Sequence, residues 1–276
     1  MPPMDEVYVR LGHHHEGMVA ELVLDRPRAL NALSSATAEQ LVVACGELSR
    51  EPALRAVVVS SSSERAFCAG ADLKERARMS DAELVAQRPV MRAAFEAVRA
   101  IEVPVIAAVA GYALGGGLEL ALSCDLIVAD ETAELGLPET AVGLVPGGGG
   151  TQLLSRRAGP GVAADLILTA RRITAAEAHR VGLVDRLVGA GGARSAAVQL
   201  AVEVAANSPT AVRAAKRALR LGAGTALPAA LEIEDAAWRA AAASAERAEG
   251  IRAFVEKRPP SWRPPSWRPA GGPAGQ

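Results

Sequence analysis

Aromatic side chains are nearly missing from this chain: Phe, Tyr and Trp make up 3% of its 276 residues. A core built around rings is excluded, so the 50% hydrophobic content must pack as Ala, Val and Leu. That is enough for one large domain or a core with a small appendage. Cysteine is scarce as well. Cys45, Cys68 and Cys124 are odd in number and widely spaced, which yields no disulfide framework or zinc pattern and points to a reducing cytoplasm. Net charge is −1, so no global field gathers nucleic acid or an anionic membrane, and an anionic ligand needs a local site. The most apolar stretch, 103–122, is broken by Pro104, four glycines and Glu119 and flanked by Glu102 and Asp125, unlike a membrane span. The opening MPPMDEVYVRLG carries acids and lacks the apolar run of a signal peptide. These absences lead to the expectation of a soluble, intracellular protein.

What is present alternates between short strands and helices. Val19 to Leu24 reads as a strand, Ser34 or Ser35 as the cap of a helix with Leu41, Ala44, Cys45 and Leu48 on one face, and Ala56 to Val59 as a buried strand. Ser80 to Glu83 and Thr174 to Glu177 have the form of capping boxes. Pro89 is expected to interrupt or kink the helix after the first of them. Val103 to Val109 and Asp125 to Ala129 suit strands, Leu118 to Ser123 a helix, and Leu183 to Val188 a last strand. Beyond Ala193 the pattern is helical, with a strong start at Ser208-Pro209 and one long helix from Pro228 to near Ala248. The chain therefore divides into an α/β core at 1–192, a helical region at 193–258 and a Pro/Gly-rich tail at 259–276. The tail repeats Arg-Pro-Pro-Ser-Trp, a composition that reads as mobile rather than as a ligand for a partner domain.

Three segments between Ala66 and Gln152 carry chemistry. In Ala66-Phe67-Cys68-Ala69-Gly70-Ala71-Asp72-Leu73-Lys74 small residues leave backbone N–H groups unobstructed beside a cation; taken alone, this fits a tight turn with a surface lysine. In Gly111 to Glu119, three glycines precede a helix whose N-terminus can approach an anion or a developing oxyanion, with Glu119 on its first turn. A glycine joint for close packing explains that segment equally well. The third segment places Glu139 after Gly136-Leu137-Pro138 and is followed by Pro146-Gly147-Gly148-Gly149-Gly150-Thr151-Gln152, which also fits a turn carboxylate and a flexible connection.

Together, CAGADLKE, PVIAAVAGYALGGGLELALSCDLIVAD, LGLPET and PGGGGTQ occur in the order and spacing of a known family. Asn31-Ala32-Leu33 and Ile251 to Arg258 extend the match over roughly residues 6–262. The chain thus closely resembles the crotonase, or enoyl-CoA hydratase/isomerase, superfamily. The resemblance implies a crotonase-like spiral of ββα repeats with a C-terminal helical trimerisation region, assembling as a homotrimer or homohexamer. It implies an acyl-CoA thioester as substrate and no metal or redox cofactor, CoA being part of the substrate. By position Ala71 and Gly116 match the oxyanion-hole donors, and Ala69, Gly70, Ala71, Asp72, Leu73 and Lys74 match the CoA-binding stretch. Arg28 and Lys257 match contacts to CoA phosphates, and Trp238 falls where an aromatic residue often lines the acyl pocket.

Glu119 and Glu139 match the glutamate pair of the hydratases, whereas related isomerases typically keep only the second. The resemblance assigns Glu119 to water at C3 and Glu139 to the proton at C2. The run from Phe67 through Arg-Ala-Arg-Met-Ser further resembles the methylglutaconyl-CoA hydratase branch, which handles a branched, carboxylated enoyl group. That branch includes an RNA-binding member whose early helix is lysine-rich. Here Ser34 to Arg50 contains no lysine, so RNA binding is not carried over.

Other readings find less support. There is no Gly-x-Ser-x-Gly elbow, Walker A motif or dinucleotide fingerprint. His179 reads as a helix-surface residue, and His13-His14-His15 as a solvated turn rather than a metal site. A double-bond isomerase and a non-catalytic binding or assembly role remain as alternatives to the hydratase.

Overall fold

The computed structural model describes residues 18–262 and the backbone of 7–14. It begins with a strand pair, β1 (Val7–His14) and β2 (Val19–Leu24), which run antiparallel. Helix α1 (Ser35–Leu48) follows, its first turn closed by Ser34 Oγ accepting from Thr37 N–H. Then a repeat sets in. β3 (Ala56–Ser61) and β4 (Ala66–Cys68) lead to α2 (Leu73–Arg76) and α3 (Asp81–Ala100). β5 (Val105–Val109) and β6 (Tyr112–Leu114) lead to α4 (Gly116–Leu122). β7 (Leu126–Asp130) and β8 (Glu134–Gly136) lead through a 3-10 turn, Pro138–Val142, to α5 (Gly150–Ala158) and α6 (Pro160–Thr169). β9 (Arg172–Thr174), α7 (Ala175–Arg180) and β10 (Arg186–Val188) complete this part.

Each repeat sends its first strand to one sheet and its second to another. The large sheet has the order β1-β2-β3-β5-β7-β10 and the small one β4-β6-β8-β9. Within them β2, β3, β5, β7 and β10 are parallel, as are β4, β6 and β8. This is the expected α/β spiral of ββα repeats. The strands read as near-continuous apolar runs because both faces are covered: Val57 and Val59 face one cluster with Leu41, Phe67 and Leu118, and Val58 faces another.

The second cluster contains Ala197, Leu200, Ala201 and Ala205, all on α8 (Ala193–Ala205). The helical region drawn from residue 193 thus starts with a helix that seals the large sheet. Helices α9 (Pro209–Gly222), α10 (Leu227–Ala242) and α11 (Ala245–Glu256) are different. None of the residues of α10 is buried, and α9 is tied to the core by two cations: buried Lys216, whose Nζ reaches Asp125 Oδ2 at 2.6 Å and Val103 O at 2.7 Å, and Arg213, which donates to Leu54 O at 3.0 Å.

Three details depart from the sequence expectations. Helix α3 continues through Pro89, which is exposed, so the ring and the carbonyl it frees meet solvent. The long C-terminal helix is two helices, because Ser244 takes an extended conformation and caps α11 by accepting from Arg247 N–H. The first tail residues are held: Trp262 Nε1 donates to Ala206 O at 2.8 Å and Ser261 N–H donates to Glu249 at 2.9 Å. The rest of the tail and His15 lie outside the described residues. Among the described residues no helix is long and apolar enough to cross a membrane.

Candidate active site

The site follows from the small sheet. Since β4, β6 and β8 are neighbours, the turns leaving their C-terminal ends are neighbours too. The turn after β4 carries Ala69 to Ala71, the turn after β6 carries Gly115 and Gly116, and the turn after β8 carries Glu139. All three open into one cavity of about 700 Å³ whose walls include Gly70, Leu73, Met91, Phe95 and Val142.

The first turn is braced from the N-terminal side. Leu33 N–H donates to Gly70 O at 2.7 Å, Asp72 N–H to Leu33 O at 2.9 Å, and Ala69 N–H to Leu30 O at 3.0 Å. Asn31 makes this brace possible. It is buried with φ +54°, a left-handed conformation that Asn tolerates better than most residues, and its Nδ2 donates to the carbonyls of Ala66 and Phe67 at 3.1 Å. Among the described residues, the backbone N–H of Ala71 finds no acceptor.

The second turn supplies a matching donor. Gly115 has φ 52° and ψ −124°, a region open to glycine alone. Gly117 is required for space, since an added Cβ would come within 1.9 Å of Cys68 O. Among the described residues the N–H of Gly116, in the first turn of α4, finds no acceptor either. A Cβ placed on Gly116 would lie 3.6 Å from Ala71 N, and one on Gly70 would lie 3.5 Å from Gly116 N. The two unpaired amides therefore stand side by side.

Two carboxylates face this pair. Glu119 is 3% exposed, and its Oε1 accepts from Gly148 N–H at 2.6 Å and Gly150 N–H at 2.8 Å. Burial raises its pKa, while those amides and Arg88 act in the opposite direction. Glu139 is half-buried, and its Oε2 is a buried oxygen without a partner among the described residues. Its carboxyl is pushed up to about 7, first by burial and then by the charge of Glu119, with its own backbone N–H and Arg76 opposing. One glutamate is thus clamped and the other poised to exchange a proton near neutrality.

A second cavity adjoins the first turn, lined by Arg26, Ser34, Asp72, Lys74, Glu75, Arg78 and Met79. Asp72 caps α2 by accepting from Lys74 N–H and Glu75 N–H, and it pairs with Arg26 at 2.6 Å. The candidates from the sequence thus separate. Ala69, Gly70, Ala71, Leu73, Gly116, Glu119 and Glu139 line the main cavity, and Asp72 and Lys74 the adjoining one. Arg28 is exposed on a 3-10 turn and lines neither. Trp238 lies in a groove between α9 and α10, and Lys257 is the exposed C-cap of α11; neither reaches the main cavity within one chain. His179 bonds Val184 O through Nδ1 at 3.0 Å, outside the cavity.

Sequence reasoning missed Arg26, Arg76 and Arg88, and took the glycines at 147–150 for a possible flexible joint. The available signal was the start of α5: amides leading into a helix are natural carboxylate clamps.

Comparison with known proteins places the chain in a family. Residues 14–265 match the family model for enoyl-CoA hydratase/isomerase. A short-chain-enoyl-CoA hydratase of Clostridium acetobutylicum is 39% identical over 243 residues, covering 88% of this chain and 93% of its own. The human mitochondrial enoyl-CoA hydratase domain-containing protein 2 is 40% identical over 261 residues, covering 93% and 89%. The crystal structure of an enoyl-CoA hydratase from Bacillus anthracis superposes with a TM-score of 0.89 at 41% identity, over 93% of this chain and 98% of that one. The chain therefore belongs to the enoyl-CoA hydratase/isomerase family, the crotonase superfamily.

Proposed function

We propose that the protein is an enoyl-CoA hydratase, adding water reversibly across the double bond of a trans-2-enoyl-CoA to give the 3-hydroxyacyl-CoA. The thioester carbonyl oxygen accepts from Ala71 N–H and Gly116 N–H, and the enolate charge that builds up on it is met by the positive end of α4. Both amides are free before substrate arrives, so no protein bond is broken to form the oxyanion hole.

The observation that carries the reading is the unequal pair of glutamates beside those amides. Gly148 and Gly150 occupy Oε1 of Glu119 and fix its rotation, leaving Oε2 to hold and activate water for attack at C3. Glu139, with its pKa near 7 and an unpaired Oε2, delivers the proton to C2. The water oxygen bonds C3, the electrons of the double bond move to C2 through the enolate, and the water's proton replenishes the glutamate pair. An isomerase needs only one such group to move a proton between carbons, so a clamped second carboxylate favours hydration.

The adjoining cavity, with Arg26, Lys74 and Arg78, suits the CoA phosphates. Self-association as a trimer or pair of trimers is supported by the exposed apolar side chains of α9 to α11, among them Leu219, Leu231, Trp238 and Phe254, the last 85% exposed. In such an assembly Trp238 and Lys257 would serve a neighbouring subunit's site. The reading is tested with crotonyl-CoA: loss of the enoyl-thioester absorbance with formation of 3-hydroxybutyryl-CoA is expected. Migration of the double bond in a 3-enoyl-CoA, with no hydration, would replace the hydratase by the isomerase.

A further inference from the structure

The loop that clamps Glu119 is itself held by helix α3. Arg88, Met91, Phe95 and Arg99 recur along α3 at the spacing of one helical face, and glycines 147 and 148 lie across it. Phe95, 3% exposed, is their floor: a Cβ on Gly148 would come within 2.4 Å of its ring. Arg88 and Arg99 grip the loop from either end of this face. Arg88 Nη1 donates to Gly147 O at 2.6 Å, and a Cβ on Gly147 would fall 2.4 Å from that nitrogen. Arg99 Nη1 donates to Gly148 O at 3.3 Å and to Ser123 Oγ at 3.2 Å. Ser123 Oγ in turn donates to Glu119 O at 2.8 Å. Arg99 therefore joins the loop to the helix that carries Glu119.

The two guanidiniums differ in setting. Arg88 is exposed. Arg99 is 23% exposed, and its Nε and Nη2 are taken by Glu96 at 3.2 and 2.7 Å. Because the guanidinium is planar, Glu96 fixes its orientation and leaves Nη1 aimed at the loop.

A trans peptide is planar, with C=O and N–H pointing in opposite directions. Fixing Gly147 O on Arg88 therefore turns the N–H of Gly148 the other way, where it donates to Glu119 Oε1 at 2.6 Å. The next peptide repeats the pattern. Its carbonyl, Gly148 O, rests on Arg99, and its N–H, that of Gly149, is among the amides that oppose burial at Glu119. A cationic donor on a carbonyl also polarises the peptide and strengthens its N–H as a donor. Four successive glycines have no side chains of their own to keep these peptides turned this way.

We propose that Arg99, with Arg88 as its lesser partner, is a positioning residue for Glu119: from α3 the two guanidiniums keep the peptides of the glycine loop turned so that their N–H groups meet the carboxylate. Both act through the loop and neither on the reacting carbons. The role of Glu119 itself rests on the hydratase reading, which this inference deepens.

Arg99→Gln, Arg99→Lys and Arg88→Gln are compared with wild type in three measurements. These are amide deuterium exchange of segment 146–152 by mass spectrometry, kcat for crotonyl-CoA hydration, and exchange of the C2 proton of butyryl-CoA in D2O, which the proposed division assigns to Glu139. In Arg99→Gln the loop amides should exchange about tenfold faster. Hydration should fall about tenfold in kcat, the scale of one misplaced catalytic group, with KM and butyryl-CoA exchange kept within about twofold. Arg99→Lys keeps the charge but cannot span Gly148 O and Ser123 Oγ, so it should recover part of the loss. Arg88→Gln, at an exposed position where folding is not at stake, should lower hydration about threefold. Unchanged loop exchange in Arg99→Gln overturns the proposal, whatever the protein catalyses. Faster loop exchange with undiminished hydration overturns it as well. So does equal loss of hydration and butyryl-CoA exchange in both Gln variants, since the arginines would then support the cavity as a whole. Faster loop exchange in Arg99→Gln, with a wild-type protein that hydrates no enoyl thioester, would remove the hydratase reading alone.

Discussion

The turns leaving β6 and β8 each deliver a glutamate to the same cavity, and they treat it in opposite ways. Glu119 sits on a regular helix, almost fully buried, with one oxygen gripped by two amides. Glu139 sits on a 3-10 turn, half-buried, with an oxygen left unpaired. On the proposed reading, this difference lets one residue type take two roles. Two amide donors hold Glu119 in one orientation, whereas burial outweighs the one backbone donor of Glu139 and pushes its carboxyl up to about 7.

The comparison breaks most severely if either carboxylate is removed. Glu119→Gln and Glu139→Gln should each lower kcat for crotonyl-CoA hydration by about a hundred- to ten-thousand-fold, the usual worth of one general acid or base, with little change in the binding of a saturated thioester. Steady-state rates and calorimetry check this. Next in size is the packing that both turns share. Gly117→Ala drives a methyl into Cys68 O and should cost about 1–3 kcal/mol or more, visible as a lower denaturation midpoint together with lost activity.

The two glutamates should also part in their effect on stability. Glu139 has a folded pKa near 7, above its ordinary value of 4.5, so the folded state binds its proton more tightly than the unfolded state does. Stability from this group is therefore present below about pH 4.5 and is lost as pH rises through about 7. Glu139→Gln, which carries no charge, should be about 1–3 kcal/mol more stable than wild type at pH 8, after discount for partial exposure, and the advantage should vanish near pH 4. Glu119→Gln should gain less, because it loses a charge that Gly148 and Gly150 already solvate. Denaturant midpoints at the two pH values decide it. The smallest effect expected is from Gly150→Ala, whose Cβ would fall 2.9 Å from Leu137 Cδ1 and Pro146 Cβ and 3.0 Å from Glu119 Oε1. Loosening the clamp should lower kcat about tenfold, on the scale of one misplaced catalytic group, while the fold persists.

Most of this site could be read from the chain because its parts are local. Small residues at Ala69 to Ala71, glycines at 115–117 and a glutamate after Pro138 each lie within a single turn, and their meaning depends on backbone freedom that composition reveals. What could not be read depends on long-range placement. Arg26 rather than Arg28 faces the adjoining cavity, since Arg26 is drawn to Asp72, 46 residues away. The opposed faces of Lys74 and Arg76 required knowing where α2 sits between two cavities. The apolar stripe of α8 gave no hint that its partner was the large sheet, and a lone Ser244 inside an Ala-rich pattern weighed too little to mark a cap.

The division of labour between the glutamates is the central claim, and exchange of the C2 proton of butyryl-CoA in D2O tests it most directly, because a saturated thioester offers no double bond to hydrate. Deuterium uptake followed by mass spectrometry should be seen with the wild-type protein, should persist within about tenfold in Glu119→Gln, and should disappear in Glu139→Gln. Loss of exchange in Glu119→Gln with retention in Glu139→Gln would reverse the two roles and contradict the account.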